Sequence, residues 1–238
     1  MRPWPVSAPC PLLYWPAEGP GPAPLVLMVH GGPVSAWTDS WHPRQAAAFF
    51  HALGCHVLLP NPVGSTGHGD AHVDAIWHDW DACTRQLQAL LTQAETQSAV
   101  SQLLLFGGSF GGWAVNRLAT VCESRSLAGI ITHAGIFDHA VMVAECDEPA
   151  AFVWHLGAGA EALHRSNPAG SVARWTTPSL ILHGAKDFNV PVAQALALHH
   201  ALERRHVPHR LVVFPDEGHH ILTPVSYTHL TLPTTPYV

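Results

Sequence analysis

Charge is scarce in this sequence. Lysine and arginine number 11 and aspartate and glutamate 17, so charged residues make up 12% of the chain and the formal net charge is −6. No basic run is present. A nucleic-acid backbone or an anionic membrane surface is bound through such a run, and neither is expected as a partner. Cysteine is equally thin: Cys10, Cys55, Cys83, Cys122 and Cys146 are odd in number, widely spaced and form no C-x-x-C. That pattern argues against a disulfide framework or a zinc site, and it favours a reducing, cytoplasmic compartment. Neither a cofactor nor a metal is expected. No apolar run approaches membrane-spanning length, and Met1 to Pro11 hold too much proline for the apolar part of a signal peptide.

What is present is apolar. With 47% hydrophobic residues in 238, the chain can bury one sizeable core and reads as one main domain. The 21 prolines and 19 glycines fall between apolar runs and act as punctuation. A proline-rich lead-in covers 1–24, with a strand candidate at Leu12–Trp15. Leu25–His30 is a continuous apolar run of the buried parallel-strand type, ending at Gly31-Gly32-Pro33. A helix is expected over Gln45–Leu53, closed by Gly54, and a second buried strand over Cys55–Leu59. From Ile76 to Ala94 apolar residues recur at helical spacing, with Asp79, Asp81, Arg85 and Gln88 on the other face. Further strands are expected at Leu103–Phe106, Ala128–His133, Ser179–His183 and Arg210–Phe214, and helices at Phe110–Cys122 and Val192–Arg205. The stretch from Gly135 to Thr177 has no clear period and reads as an excursion over one end of the sheet. Strands alternating with helices give a mostly parallel sheet covered on both faces, whose ligands bind beyond the strands' carboxyl ends.

One turn organises this pattern. Gly107-Gly108-Ser109-Phe110-Gly111 follows a buried strand and opens a helix, and it fits G-x-S-x-G. A serine on a sharp strand-to-helix turn is strained, and glycine on either side leaves room for it. The turn lifts the hydroxyl above the sheet edge, as in the α/β-hydrolase fold. A serine nucleophile needs a base, and the base needs an acid to hold its tautomer. In this fold they follow in the order Ser, Asp, His. Asp187 and His219 each come just after a strand, in that order. Asp138 is the rival acid, and His220 and His183 are the rival bases. The oxyanion donors are expected from the N–H groups of Phe110 and Gly32.

Several segments together resemble the catalytic domain of the prolyl oligopeptidase family, nearest its acylaminoacyl-peptidase and dipeptidyl-peptidase-like branch. They are His30–Pro33, Pro60–Gly69, Gly107–Gly112, His133–Asp138, His183-Gly184 with Asp187, and Phe214–His219. The resemblance runs from about Leu25 to Pro224. It implies a serine peptidase with Ser109 as nucleophile, Asp187 as acid, His219 as base, and Gly32 and Phe110 as oxyanion donors. The expected partner is a short peptide, cleaved through an acyl-enzyme, and the oligomeric state is left open. The chain departs from the family pattern in places. Val63 stands where the family carries Arg after Asn-Pro, and His68 where it carries Tyr, which leaves subsite preference open. The family's β-propeller, which filters substrates by size, is not in this sequence, nor is the helix expected after Pro224. Residues 225–238 resemble one reading frame of a transposase adapter used in sequencing libraries. They are expected to be a non-native tail on a domain, 25–224, that is truncated at its C-terminus. Two alternatives stand beside the peptidase: a carboxylesterase using the same three residues, and a catalytically silent fragment.

Overall fold

The computed structural model describes residues 3–5, 7–40, 47–122, 127–157 and 159–223. The suspected adapter tail, 225–238, lies outside them, as do Gln45 and Ala46 of the first expected helix. Seven strands form one sheet: β1 (Leu12–Trp15), β2 (Ala23–Val29), β3 (His56–Pro60), β4 (Val100–Gly108), β5 (Leu127–His133), β6 (Ser179–Gly184) and β7 (His209–Phe214). Their order across the sheet is β1-β3-β2-β4-β5-β6-β7. Every pairing is parallel except β1 with β3, where Leu12 faces Pro60 and Trp15 faces Val57. The proline-rich lead-in is therefore part of the sheet. Trp4 of this segment is buried, and its indole N–H donates to Gln93 Oε1 at 3.2 Å.

Strand alternation divides the core. Leu25, Leu27 and Val29 of β2 point to one face with Leu103, Leu105, Ile130 and Ile181. There they meet the buried sides of α3 (Asp81–Glu95), α4 (Phe110–Val121) and α8 (Ala193–Glu203). Burying each large aliphatic side chain contributes about 1.5–3 kcal/mol, and this core buries 20 Leu, Ile and Val side chains together with Trp113 and Trp175. Val26 and Met28 point the other way, toward α1 (Ala47–Ala52) and Trp37. Farther along that second face, Leu182 and Phe214 form a small cluster with Ile221, and Ile131, Leu180 and Val212 pack on it while half-buried. Among the described residues this is the thinnest cover over the sheet.

Two expectations are adjusted. The helix expected from Ile76 begins at Asp81, because 70–74 form a short helix, α2 (Asp70–Asp74), and Ile76 turns inward against Gly64. The segment 135–177 is not irregular. It holds α5 (His139–Glu145), α6 (Pro149–Leu156), α7 (Ala160–His164) and a 3₁₀ turn at Pro168–Arg174. Helices this short have little stability of their own, so they carry no strong periodic signal and depend on packing. No helix among the described residues is long and apolar enough to cross a membrane. All five cysteines are free.

Candidate active site

Ser109 sits between β4 and α4 with φ 58° and ψ −122°, a region that a residue with a Cβ rarely enters. Such a backbone costs on the order of 1–3 kcal/mol and persists only where its surroundings enforce it. Here they do. The Ser109 N–H donates to the His133 carbonyl at 2.9 Å, and the Ser109 carbonyl accepts from Trp113 N–H at 2.9 Å. The flanking glycines are required by contact rather than by their own dihedrals. A Cβ on Gly107 would stand 2.0 Å from the Gly111 carbonyl oxygen, and one on Gly111 would stand 2.2 Å from that of Val29. The turn thus folds the start of α4 directly against the ends of β2 and β4.

Asp187 lies on the turn after β6, almost fully buried. Its Oδ1 accepts from the N–H groups of Asn189 (3.1 Å) and Val190 (2.9 Å), and its Oδ2 accepts from His219 Nδ1 at 2.8 Å. His183 Nε2 donates to the Val190 carbonyl at 2.7 Å and lies 3.4 Å from the same Oδ2. Burial alone would raise the Asp187 carboxyl, but the hydrogen bonds from His183, His219 and Val190 outweigh it and hold the group well below the usual carboxylate range. An ionised acceptor at Nδ1 makes that nitrogen the donor. His219 Nε2 is then the ring atom that can take a proton. The loop carrying His219 rests on Gly184, where a Cβ would stand 2.1 Å from the Gly218 carbonyl oxygen.

Ser109 and His219 line one cavity of about 420 Å³, with His30, Gly32, His133 and His220 also in its wall. A smaller cavity of about 110 Å³ also reaches Ser109 and Gly32. Trp80, Phe110, Ile136, Met142 and Phe152 give it an apolar wall, and Asp147, Glu148, His155 and Asn189 also line it. Trp80 anchors that wall, edge-on to Phe110 at 5.0 Å and to Trp113 at 4.9 Å. The loop bearing Gly32 is tied down behind. Asn61 accepts from Trp37 N–H at 2.8 Å and donates to the Trp37 carbonyl at 3.0 Å, and Trp37 Nε1 donates to the Met28 carbonyl at 2.9 Å. His30 Nδ1 donates to the Gly31 carbonyl and its Nε2 accepts from Ser65 Oγ, at 2.7 and 2.8 Å. Burial lowers the His30 pKa, so it stays a neutral strut.

The structure sorts the rivals. Asp138 caps α5, its Oδ1 accepting from Ala140 N–H at 2.9 Å. His183 is buried beneath the carboxylate it was a candidate to pair with as base, and acts as its second imidazole partner. His220 borders the cavity beside His219, ring centroids 5.0 Å apart. His133 was not singled out from the sequence. It ends β5, its Nε2 is buried without a hydrogen-bond partner, and its pKa is pushed down to about 4, first by burial and then by the neighbouring imidazoles. The network of Asn61, Trp37 and Ser65 was also missed, since only tertiary contact reveals it.

A sequence profile of the prolyl oligopeptidase family matches residues 41–234. The chain is 32% identical over 219 residues to a protein named "Probable dipeptidyl-peptidase 5" from Emericella nidulans, covering 84% of this chain and 29% of that protein. It is 29% identical over 213 residues to the dipeptidyl-peptidase 5 of Schizosaccharomyces pombe, covering 84% and 31%. It thus spans less than a third of the length of either relative. Among solved structures, the acylaminoacyl peptidase of Pyrococcus horikoshii superposes with a TM-score of 0.79 at 19% identity, covering 87% of this chain and 35% of that one. That likeness establishes the α/β-hydrolase fold, and with the profile match the conclusion is plain: this chain belongs to the prolyl oligopeptidase family.

Proposed function

We propose that the chain carries the catalytic machinery of a serine peptidase acting on short peptides. One observation carries the reading: the 2.8 Å bond from His219 Nδ1 to the buried carboxylate of Asp187, with His219 and the strained Ser109 lining a common cavity. In this mechanism Ser109 Oγ attacks the scissile carbonyl carbon while His219 Nε2 takes the hydroxyl proton. Asp187 holds the imidazole in the required tautomer and stabilises its positive charge. The oxyanion that forms is received by the N–H groups of Gly32 and Phe110, the latter at the positive end of α4. Collapse of the tetrahedral species breaks the C–N bond, and His219 returns the proton to the leaving amine. Water then attacks the acyl-Ser109 ester by the same route, releasing the acid and restoring the serine.

The smaller cavity supports binding of a substrate residue beside Ser109, with Phe110, Ile136, Met142 and Phe152 available to its apolar part and Asp147, Glu148 and Asn189 to its polar part. A fluorophosphonate probe and a matched pair of peptide-anilide and ester substrates test the reading. Ser109→Ala should abolish covalent labelling and lower turnover roughly 10⁴-fold or more. Labelling that persists would move the nucleophile elsewhere. A wild-type chain that turns over the ester but not the anilide would make it a carboxylesterase, and a chain that takes no label would make it a silent fragment.

A further inference from the structure

We propose that His199, His200 and Glu203, on the last turns of α8, form a binding site for a divalent cation of the zinc class, remote from the catalytic cavity. The proposal does not rest on the peptidase reading. It concerns histidine and carboxylate donors, so the absence of a cysteine motif does not bear on it.

The three side chains offer donor atoms that all lie within 4.8 Å of one another. His200 Nδ1 is 3.6 Å from Glu203 Oε2, and His199 Nε2 is 4.0 Å from the same oxygen. Ligands about 2.0–2.2 Å from a tetrahedral zinc ion stand about 3.4 Å apart, so closing the site needs side-chain adjustments of up to about an ångström and no backbone movement. Two imidazoles and one carboxylate leave the fourth position to water. Nitrogen donors of this kind favour Zn²⁺ and its borderline neighbours over Mg²⁺ or Ca²⁺.

A second observation separates this cluster from an ordinary surface ion pair. His209 Nδ1 lies 2.7 Å from the Val207 carbonyl oxygen, which can only accept, so Nδ1 carries the proton. In the neutral ring His209 Nε2 is then an acceptor. It lies 2.7 Å from His199 Nδ1, which must therefore donate. That leaves the lone pair of His199 on Nε2, the atom turned toward Glu203. Carbonyl, His209 and His199 form a relay of the kind that orients metal-bound histidines, where the ligand's other ring nitrogen donates to a partner behind it. The two rings also pack together, centroids 4.9 Å apart, which fixes the orientation of His199 before any ion arrives.

The location sets the role. His209 is the first residue of β7, which is parallel to β4, so the cluster lies at the amino ends of the strands. Ser109 follows the carboxyl end of β4, at the opposite end of the sheet. An ion here cannot reach the reacting groups. It would instead pin the end of α8, through His199 and His209, to the outer strand β7.

The whole chain, stripped of metal, is titrated with Zn²⁺ in competition with a chromophoric indicator, and its melting temperature is followed with and without Zn²⁺. The expected result is one Zn²⁺ bound at least about tenfold more tightly than by His199→Gln or Glu203→Gln, together with a Zn²⁺-induced rise in melting temperature that both variants lose. Glu203 faces solvent, so the metal-free melting temperature of Glu203→Gln should match the parent's, whereas His199 is half-buried against His209 and its variant is judged by the Zn²⁺-induced shift alone. His209→Phe, which never touches the ion, should weaken binding about 10–100-fold, and His209→Gln, whose amide oxygen can still accept from His199, should restore most of it. Mg²⁺ should not compete. If all four variants bind Zn²⁺ as the parent does, the ion sits at other histidines and the proposal falls. It falls equally if the parent binds Zn²⁺ no better than Mg²⁺, or if His209→Phe leaves affinity unchanged.

Discussion

The turn at Ser109 and the excursion between β5 and β6 border the same small cavity, but different forces hold them. At the turn, backbone packs on backbone. Gly107 meets Gly111, Gly111 meets the ends of β2, and Gly112 meets Gly135, each so closely that a methyl group would overlap main-chain atoms. In the excursion beyond Gly135, side chains do the work. Trp80 is edge-on to Phe152 at 5.8 Å, Gln194 Oε1 accepts from the N–H groups of both Phe137 and Asp138 at 2.8 Å, and Trp113 Nε1 donates to the Ser166 carbonyl at 3.0 Å. The nucleophile proposed here must be placed to within a fraction of an ångström, and backbone contact suits that demand. The wall of the smaller cavity is built from helices of five to eight residues leaning on one aromatic cluster.

The comparison is broken most severely by giving the turn a methyl group. Gly111→Ala should cost more than about 3 kcal/mol, because the new atom meets carbonyl oxygens of β2 that cannot move without displacing the centre of the sheet. Urea unfolding and fluorophosphonate labelling measure it. A variant that is stable and fully labelled would show that the turn has slack.

The second test sets the two aspartates against each other. Asp187→Asn should lower turnover on the order of 10⁴-fold, because an amide can no longer accept as a carboxylate and leaves His219 in the wrong tautomer. Asp138→Asn should leave turnover within a few-fold and cost at most about 1 kcal/mol, since asparagine caps a helix nearly as well. Equal losses of turnover would mean that the capping aspartate also acts in the chemistry.

Legibility from the sequence follows the same division. G-x-S-x-G could be read because the constraint is local. The placement of Asp187 and His219 just beyond β6 and β7 could be read because strand ends and chain order limit the choices, and their roles remain the proposal made above. The structure brings both to the end of the sheet where Ser109 lies. His133, Asn61 and Trp37 could not be read, since their importance arises from partners far away in the chain. The helices of the excursion were missed for that reason too. Their apolar residues answer to Trp80 and Trp113, so no period of their own survives. His183 was legible as a residue at a strand end but not in its role. It sits below Asp187 rather than in front of Ser109, which no spacing rule distinguishes.

Each region has a neutral histidine, His139 buried in the excursion and His133 half-buried with its Nε2 enclosed beside the turn, so acid should loosen them together. Burial pushes His133 and His139 down to about 4 each. The unfolded chain takes up these protons first. The folded state is therefore at full strength above the ordinary histidine range near 6.5, and it loses stability as pH falls from there toward 4. Each group contributes on the order of 3 kcal/mol to that loss when fully expressed. Asp187 adds a further loss below about pH 4, because its depressed carboxyl favours the folded state only above the unfolded value. Urea melts between pH 7 and 4.5 should show the slope. His139→Asn, whose amide can replace the bond from Nδ1 to the Leu163 carbonyl, should flatten it measurably, the remaining slope coming from His133 and His30. An unchanged slope would mean that His139 does not stay neutral in the fold.

The smallest effect is the same substitution made in the other region. Gly170 lies in the 3₁₀ turn of the excursion, its φ is outside the left-handed region, and a Cβ there meets nothing within 4 Å. Nothing in the folded state opposes Gly170→Ala, while the unfolded chain loses some of the freedom that glycine gives it. Such a change stabilises by about 0.4–1 kcal/mol. In a domain of this size that raises the melting temperature by about 1–4 °C. Labelling should be unchanged, because the turn does not touch Ser109. One methyl group would then cost several kcal/mol in the turn at Ser109 and add stability in the excursion, as expected if backbone contact governs the first region and side-chain packing the second. A loss of stability from Gly170→Ala would show that the excursion too is packed through its main chain.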